Sequence, residues 1–151
     1  MKPVLNTSVV IQIGIVVRDI EEAAKDYAAF LGVPTPEITM TDVYEVAQTT
    51  LYGKPTTARA KQAFFDIGPC TQIELLEPDG EESTWREFLN NQGEGVHHIA
   101  FQVDGMEKMI RTCDDSGFPL IQKGCWETGS YAYVDTREKL KIITELLEFR
   151  G

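Results

Sequence analysis

The sequence predicts an α+β fold of two pseudo-symmetric modules that pack together around one shared concavity. Three observations predict it. The tetrapeptide Glu-Leu-Leu-Glu occurs twice, at 74–77 and 145–148. Placing Gln12 over His98 aligns QIGIVVRDIEEAAKDYAAFLGVP with HIAFQVDGMEKMIRTCDDSGFP, two strand-then-helix patterns that both close on Gly and Pro. Self-similarity of this kind marks a structural unit that buries its apolar face against its own copy. Finally, the four residues that break the apolar pattern at equivalent places, Gln12, Glu74, His98 and Glu145, all carry side chains able to ligate a metal ion.

The elements follow in order. Val9 to Val17 is a β-branched run that reads as a buried strand, and Asp19 with Glu22 three residues on forms a capping box that opens a helix. Ile20, Ala23, Ala24, Tyr27 and Leu31 recur on one face of that helix, and Gly32 with Pro34 stops it. Residues 35–58 are polar and Thr-rich, with a turn around Tyr52 to Pro55, and read as a lid or pocket loop carried on a rigid scaffold. AKQAFFDIG and CTQIELLE are two strands joined by a turn at Gly68 and Pro69. A connector helix over about 80–93 starts near Ser83, spaces Trp85, Phe88 and Leu89 on one face, and ends at Gly93. The second module repeats the order: a strand from Val96 to Val103, a helix from about Met106 to Ser116, then strands near Leu120, at Tyr131 to Val134 and at Lys141 to Leu147. Thr128 and Gly129 mark one turn and Thr136 to Lys139 another. One domain, 1–151, therefore holds module one at about 8–78 and module two at about 95–149.

A chain of 151 residues can bury a core without disulfides. The net charge of −10, with 14 scattered Lys and Arg, disfavours nucleic acid and an anionic membrane as partners. No apolar run reaches signal-peptide or membrane-span length, so a cytoplasmic protein is the expectation. Cys70, Cys113 and Cys125 form no CxxC pair and read as reduced thiols; Cys125, in the Gly-rich KGCWETGS, reads as a small apolar packing residue more readily than as a cavity-facing nucleophile.

Side chains alternate across a strand, so Ile11, Ile13, Ile15 and Val17 share the face under the helix, leaving Gln12, Gly14 and Val16 opposite. Likewise Ile99, Phe101 and Val103 leave His98, Ala100 and Gln102 opposite, with Gly14 and Ala100 as small residues giving room above the sheet. Ile73 and Leu75 turn Glu74 away from the helices; Thr144 and Leu146 do so for Glu145. A strand Glu or a lone His is by itself more often a surface or core residue. Four donors at matching ends of matching strands are a different matter. Buried carboxylates need a partner cation, and one imidazole, two carboxylates and an amide oxygen suit an octahedral divalent ion with open positions. His97 alternates to the opposite face and reads as structural.

IQIGIVV followed by DIEEAAKDYAAFLGV, IELLEP, GVHHIAFQVD and ITELLE, spread over nearly the whole chain, resemble the vicinal-oxygen-chelate (glyoxalase/bleomycin-resistance/dioxygenase) superfamily, and most closely its methylmalonyl-CoA epimerases. The resemblance implies paired βαβββ modules forming an open, cup-shaped mixed sheet around a metal site. It implies Gln12, Glu74, His98 and Glu145 as ligands of a divalent ion (Co, Zn, Mn or Ni). It also implies enolate chemistry on an acyl-CoA, with Glu145 as the proton-transferring base and Glu74 as the second, opposite it; separately, exposed sheet edges are usually paired or covered, so a homodimer is expected. The epimerase pattern has His where Gln12 stands and, in some members, a Glu base near the position of Gln62. The ligand set Gln, Glu, His, Glu matches a glyoxalase I-like lactoylglutathione lyase, which is the second reading. A non-catalytic small-molecule-binding protein is the third, with Trp126, Tyr131 and Tyr133 lining a pocket. A ring-cleaving dioxygenase would need two convergent histidines. Lys61 and Lys123 are the candidates for a CoA phosphate.

Overall fold

The computed structural model describes residues 2–150. Module one runs β1 (Gln12–Val16), α1 (Ile20–Leu31), β2 (Thr39–Met40), α2 (Tyr44–Ala47), β3 (Thr50–Leu51), β4 (Lys54–Pro55), β5 (Ala60–Asp66) and β6 (Gln72–Pro78). After α3 (Thr84–Gln92), module two runs β7 (Gly95–Gln102), α4 (Met106–Asp115), β8 (Leu120–Trp126), β9 (Gly129–Val134), α5 (Arg137–Leu140) and β10 (Ile143–Phe149). The strands form one curled mixed sheet in the order β2-β5-β6-β1-β7-β10-β9-β8-β3-β4. Without the β3–β4 hairpin the order is symmetric about the antiparallel pair β1–β7: β6 lies parallel to β1 as β10 lies parallel to β7. The expected α+β fold of paired βαβββ modules is what the chain adopts.

The two long module helices, α1 and α4, pack on the convex face, each over its own module. Asp19 caps α1 by accepting from the Glu22 amide, and Gly32 closes it in the left-handed region at φ 70°. The face buried is Ile20, Ala24 and Ala28, against Val17, Ala63, Phe65 and Leu75; Leu31, expected on that face, is exposed. A carboxylate from the sheet serves the same helix start, because Glu77 Oε1 accepts from the Ile20 amide at 3.0 Å. Glu148, its equivalent in the second Glu-Leu-Leu-Glu, accepts from the Gly105 amide at the start of α4. The repeated tetrapeptide thus has a divided task. Its first Glu points into the cup and its last satisfies a helix N-terminus, where unpaired N–H groups and the helix dipole favour a carboxylate.

Several boundaries differ from expectation. Regular pairing of β1 begins at Gln12 rather than Val9, and Thr136 to Lys139 opens the short helix α5 rather than a plain turn. The pocket loop is more structured than its polar composition implied. Its β3–β4 hairpin turns at Tyr52 and Gly53, both at positive φ, which matches the twist of a two-residue hairpin loop, and β3 crosses to pair with β8 of module two. The connector α3 does more than connect, because Trp85 and Leu89 enter the core on the concave side with Val16, Leu76, Ile121, Tyr133 and Ile143. The three cysteines are unpaired.

Candidate metal centre

Strand register builds the site. Across β5, β6, β1, β7, β10 and β9 two adjacent rows of facing residues cross the cup: Phe64–Glu74–Gly14–His98 in one, Gln12–Ala100–Glu145–Tyr133 in the other. Each row holds two donors on either side of a residue no larger than Ala, with an aromatic ring at one end. The pseudo-twofold axis between β1 and β7 exchanges the rows, which is why the four donors converge. All four are buried on the concave side, as expected. The space above Gly14 is filled by the His98 imidazole.

His98 Nε2 is the hub. It lies 3.5 Å from Glu74 Oε1, 3.3 Å from Glu145 Oε1 and 3.3 Å from the terminal Gln12 atom that faces the cluster. The same Gln12 atom is 3.2 Å from Glu74 Oε1 and 2.9 Å from Glu145 Oε1. Among the described residues, no His, Cys, Asp and Glu side chains alone form a cluster of three arranged to hold an ion; the Gln12 amide, touching the other three, closes the set. Two ligands held about 2.0–2.2 Å from one ion lie roughly 2.9–3.5 Å apart in octahedral or tetrahedral arrangement. The donors fit a divalent ion on that measure.

The electrostatics give the same answer. Two carboxylates, each about 5% exposed or less, share one imidazole, and among the described residues no Lys or Arg forms an ion pair with either. Burial acts to lower the pKa of His98, but the charges and hydrogen bonds of Glu145 and Glu74 outweigh it and raise it to about 9. Burial pushes the Glu145 carboxyl above its ordinary value, with His98 opposing. A positive charge is demanded at the centre, and in the ion-free chain the His98 proton supplies it. With that proton present the inward Gln12 atom is best satisfied as an amide nitrogen donating to the carboxylates. With a metal ion there, an inward oxygen completes a set of four lone-pair donors.

Gln12, Glu74 and Glu145 line a cavity of about 470 Å³, with the fully buried His98 behind them; its walls are Met40, Phe64, Leu76, Trp126, Leu147 and Phe149, a size and character usual for small-molecule sites. Thr41, Asp42, Ala47 and Thr49 bring the segment 35–58 into its lining, as a pocket loop should; Cys125, Trp126, Tyr131 and Tyr133 line it too. Gln62 also reaches it, and its amide donates to Glu74 Oε2 at 2.7 Å. Lys61 does not. It points to the convex side, 3.8 Å from Glu21 and 3.7 Å from Glu77, since its neighbours Gln62 and Phe64 are the ones the cavity takes. Lys123 lies in an adjoining hollow with Lys108, Arg111 and Arg150.

His97 is the correction. Alternation placed it opposite His98, but the β1–β7 register shifts between Gly14 and Ile15, pairing Gly14 with His98 and Ile15 with Val96. His97 is left as the extra residue of a β-bulge. Both rings therefore lie on the concave side, 5.1 Å apart, and both contact Tyr133. A two-residue period cannot reveal a bulge; the signal that could have done so is the His-His pair following Gly95, whose φ of 154° leaves the usual range at the strand's start.

Comparison with known proteins follows the same lines. The model of the glyoxalase/bleomycin resistance protein/dioxygenase superfamily matches residues 11–133. The uncharacterized protein YqjC of Bacillus subtilis is 30% identical over 92 residues, taking in 59% of this chain and 65% of that protein, so just under two thirds of the relative's length is matched. Among solved structures, a hypothetical protein of Bacillus halodurans superposes with a TM-score of 0.66 at 27% identity, covering 95% of both chains. Methylmalonyl-CoA epimerase of Mycobacterium tuberculosis gives 0.64 at 22% identity over 97% of this chain and 93% of its own. That of Streptomyces coelicolor, in complex with 2-nitronate-propionyl-CoA, gives 0.64 at 20% over 94% and 97%.

Proposed function

Because the chain belongs to the glyoxalase/bleomycin resistance protein/dioxygenase superfamily, we propose that it is a metal-dependent isomerase that epimerises a carbon acid beside a carbonyl, with an acyl-CoA such as methylmalonyl-CoA as substrate. The observation that carries this reading is the convergence of Gln12, Glu74, His98 and Glu145 at the head of the cavity. Those four residues would hold the ion. A bound divalent ion supplies Lewis-acid polarisation of the substrate carbonyl, which favours loss of the neighbouring proton.

The chain's own groups do the rest. Glu145, whose basicity burial increases, takes the α-proton from one face as general base, and inversion is completed when a proton is delivered to the opposite face by a general acid. Glu74 faces it from the other module and serves the opposite face of the planar carbon. The Gln62 amide holds the second oxygen of Glu74 and keeps that carboxylate aimed. The apolar walls take the acyl group and exclude water. The pantetheine and nucleotide would extend out of the cavity, and Lys123, Lys108 and Arg111 in the adjoining hollow are the cations available to a phosphate.

The decisive experiment combines metal analysis with turnover. Protein loaded with Co(II) should exchange the α-proton of methylmalonyl-CoA with deuterium from solvent and interconvert its epimers. Glu74→Ala with His98→Ala should lose both the ion and the activity. Formation of lactoylglutathione from the hemithioacetal, without epimerisation, would establish the lyase that Gln12 favours; unchanged metal in the double variant would reject the site. A homodimer is part of the proposal. Most of β5 lies beyond its two-residue pairing with β2, and such edges are usually covered. A monomer in sedimentation at micromolar concentration would reject it.

A further inference from the structure

The bulged His97 has a role that follows from counting hydrogens. The starting point is the Thr84 backbone amide at the first residue of α3, which can only donate. It lies 2.8 Å from the Gln122 terminal atom, which is therefore the amide oxygen; the Gln122 nitrogen correspondingly donates to the Tyr131 hydroxyl at 2.9 Å. Thr84 Oγ1 is 2.9 Å from that same Gln122 oxygen, so the Thr84 hydroxyl spends its single hydrogen there. Only its lone pairs remain for His97 Nε2, 3.2 Å away. His97 Nε2 must carry a hydrogen.

His97 is fully buried and packed between Phe88 and Tyr133, its ring nitrogens meet only Thr84 Oγ1 and His98 Nδ1, and with no carboxylate among those contacts the buried ring is neutral. A neutral ring protonated at Nε2 has a bare Nδ1. That Nδ1 lies 2.8 Å from His98 Nδ1, which must then be the donor. With its hydrogen on Nδ1, His98 turns the lone pair of Nε2 toward Gln12, Glu74 and Glu145 whenever it gives up its second proton.

We propose that His97 is a positioning residue which fixes the Nδ1–H tautomer of His98, and that the instruction originates in the α3 backbone and passes through Gln122 and Thr84. This rests on the metal site proposed above for its purpose, though not for its geometry. Metal-binding imidazoles generally need such an outer partner to fix tautomer and ring orientation, and losing it typically costs about 10- to 100-fold in affinity. Here the partner is a second imidazole rather than a carboxylate or carbonyl. It adds no further negative charge beside two buried carboxylates.

The test is two-dimensional ¹⁵N–¹H NMR of the imidazoles in the intact chain, metal-free and loaded with Zn(II), together with Zn(II) affinities measured against a chelator. His97 should show a pyridine-like Nδ1 and a pyrrole-like Nε2 in both forms, and His98 a pyrrole-like Nδ1. A pyrrole-like Nδ1 on His97 overturns the proposal, and this reading needs no variant. His97→Phe, which keeps an aromatic ring but no acceptor, should bind Zn(II) about 10- to 100-fold more weakly. His97→Asn, whose amide oxygen can accept from His98, should recover most of that loss. Equal affinities for wild type and His97→Phe overturn the role. Should the wild type bind no Zn(II), the proposed metal site fails, and the metal-free spectrum still decides which His97 nitrogen carries the hydrogen.

Discussion

The His98 imidazole occupies the space that a side chain at position 14 would need: a Cβ on Gly14 would lie 2.0 Å from His98 Cε1 and 2.3 Å from Nε2. The two residues face each other across β1 and β7, so the ring lies flat over its partner's backbone. Gly14→Ala must push the ring aside. Overpacking of this kind costs about 1–3 kcal/mol, and the displaced Nε2 no longer meets the other donors. We expect a folded variant with a lowered urea midpoint that retains little Co(II) or Zn(II) in elemental analysis; wild-type metal content would show that His98 Nε2 is not a ligand.

Glu145→Gln separates proton transfer from metal binding. The amide keeps the shape and a neutral oxygen, and Gln12 already presents an amide to the cluster. Turnover and α-deuterium incorporation should fall by about 100- to 10,000-fold while substantial metal is retained. Activity that instead tracks occupancy, and returns with excess metal, would make Glu145 a ligand alone and move the base to Glu74.

Glu77 and Glu148 close the two Glu-Leu-Leu-Glu repeats and satisfy the starts of α1 and α4. Each truncation to Ala should lower stability by about 1 kcal/mol, the usual scale of a lost helix cap. Metal content should not change, since neither side chain enters the cup. Denaturation and metal analysis on the same samples test both halves of this statement.

Asp135 forms a two-bond pair with Arg137, at 2.8 and 2.9 Å. The Arg137 hydrogen bonds, against burial, hold its carboxyl below the usual value. A depressed carboxylate contributes stability that is present above its unfolded pKa of about 3.9 and is lost as pH falls through the lower, folded pKa. Asp135→Asn should therefore cost about 0.2–1 kcal/mol near neutrality, the range of partly exposed pairs. In acid the two proteins should converge, and parallel pH–stability curves would refute the assignment.

The convergence of Gln12, Glu74, His98 and Glu145 was legible in the sequence because the repeat supplied a second copy of each position, and the period-two pattern holds in β1, β6 and β10 and in β7 from His98 onward. α1 was legible because local signals, Asp19 and Gly32, mark both its ends. What escaped depends on partners remote in sequence. The bulge at His97 exists only in the register between β7 and β1. β3 is two polar-flanked residues whose partner, β8, lies some 70 positions further on. Lys61 is a candidate phosphate ligand on charge alone, and charge does not reveal which way a strand side chain points.

The pairing of β3 with β8 breaks the equality of the two halves. An insertion in the first copy has been taken over by the outer strand of the second, and the same segment supplies part of the cavity wall. Neither half is then autonomous. Cut between Gly80 and Ser83, the second half would lose the neighbour of β8, and the first would carry a hairpin with nothing to join. What began as a duplication of like units reads, in this chain, as a molecule whose halves can no longer be exchanged.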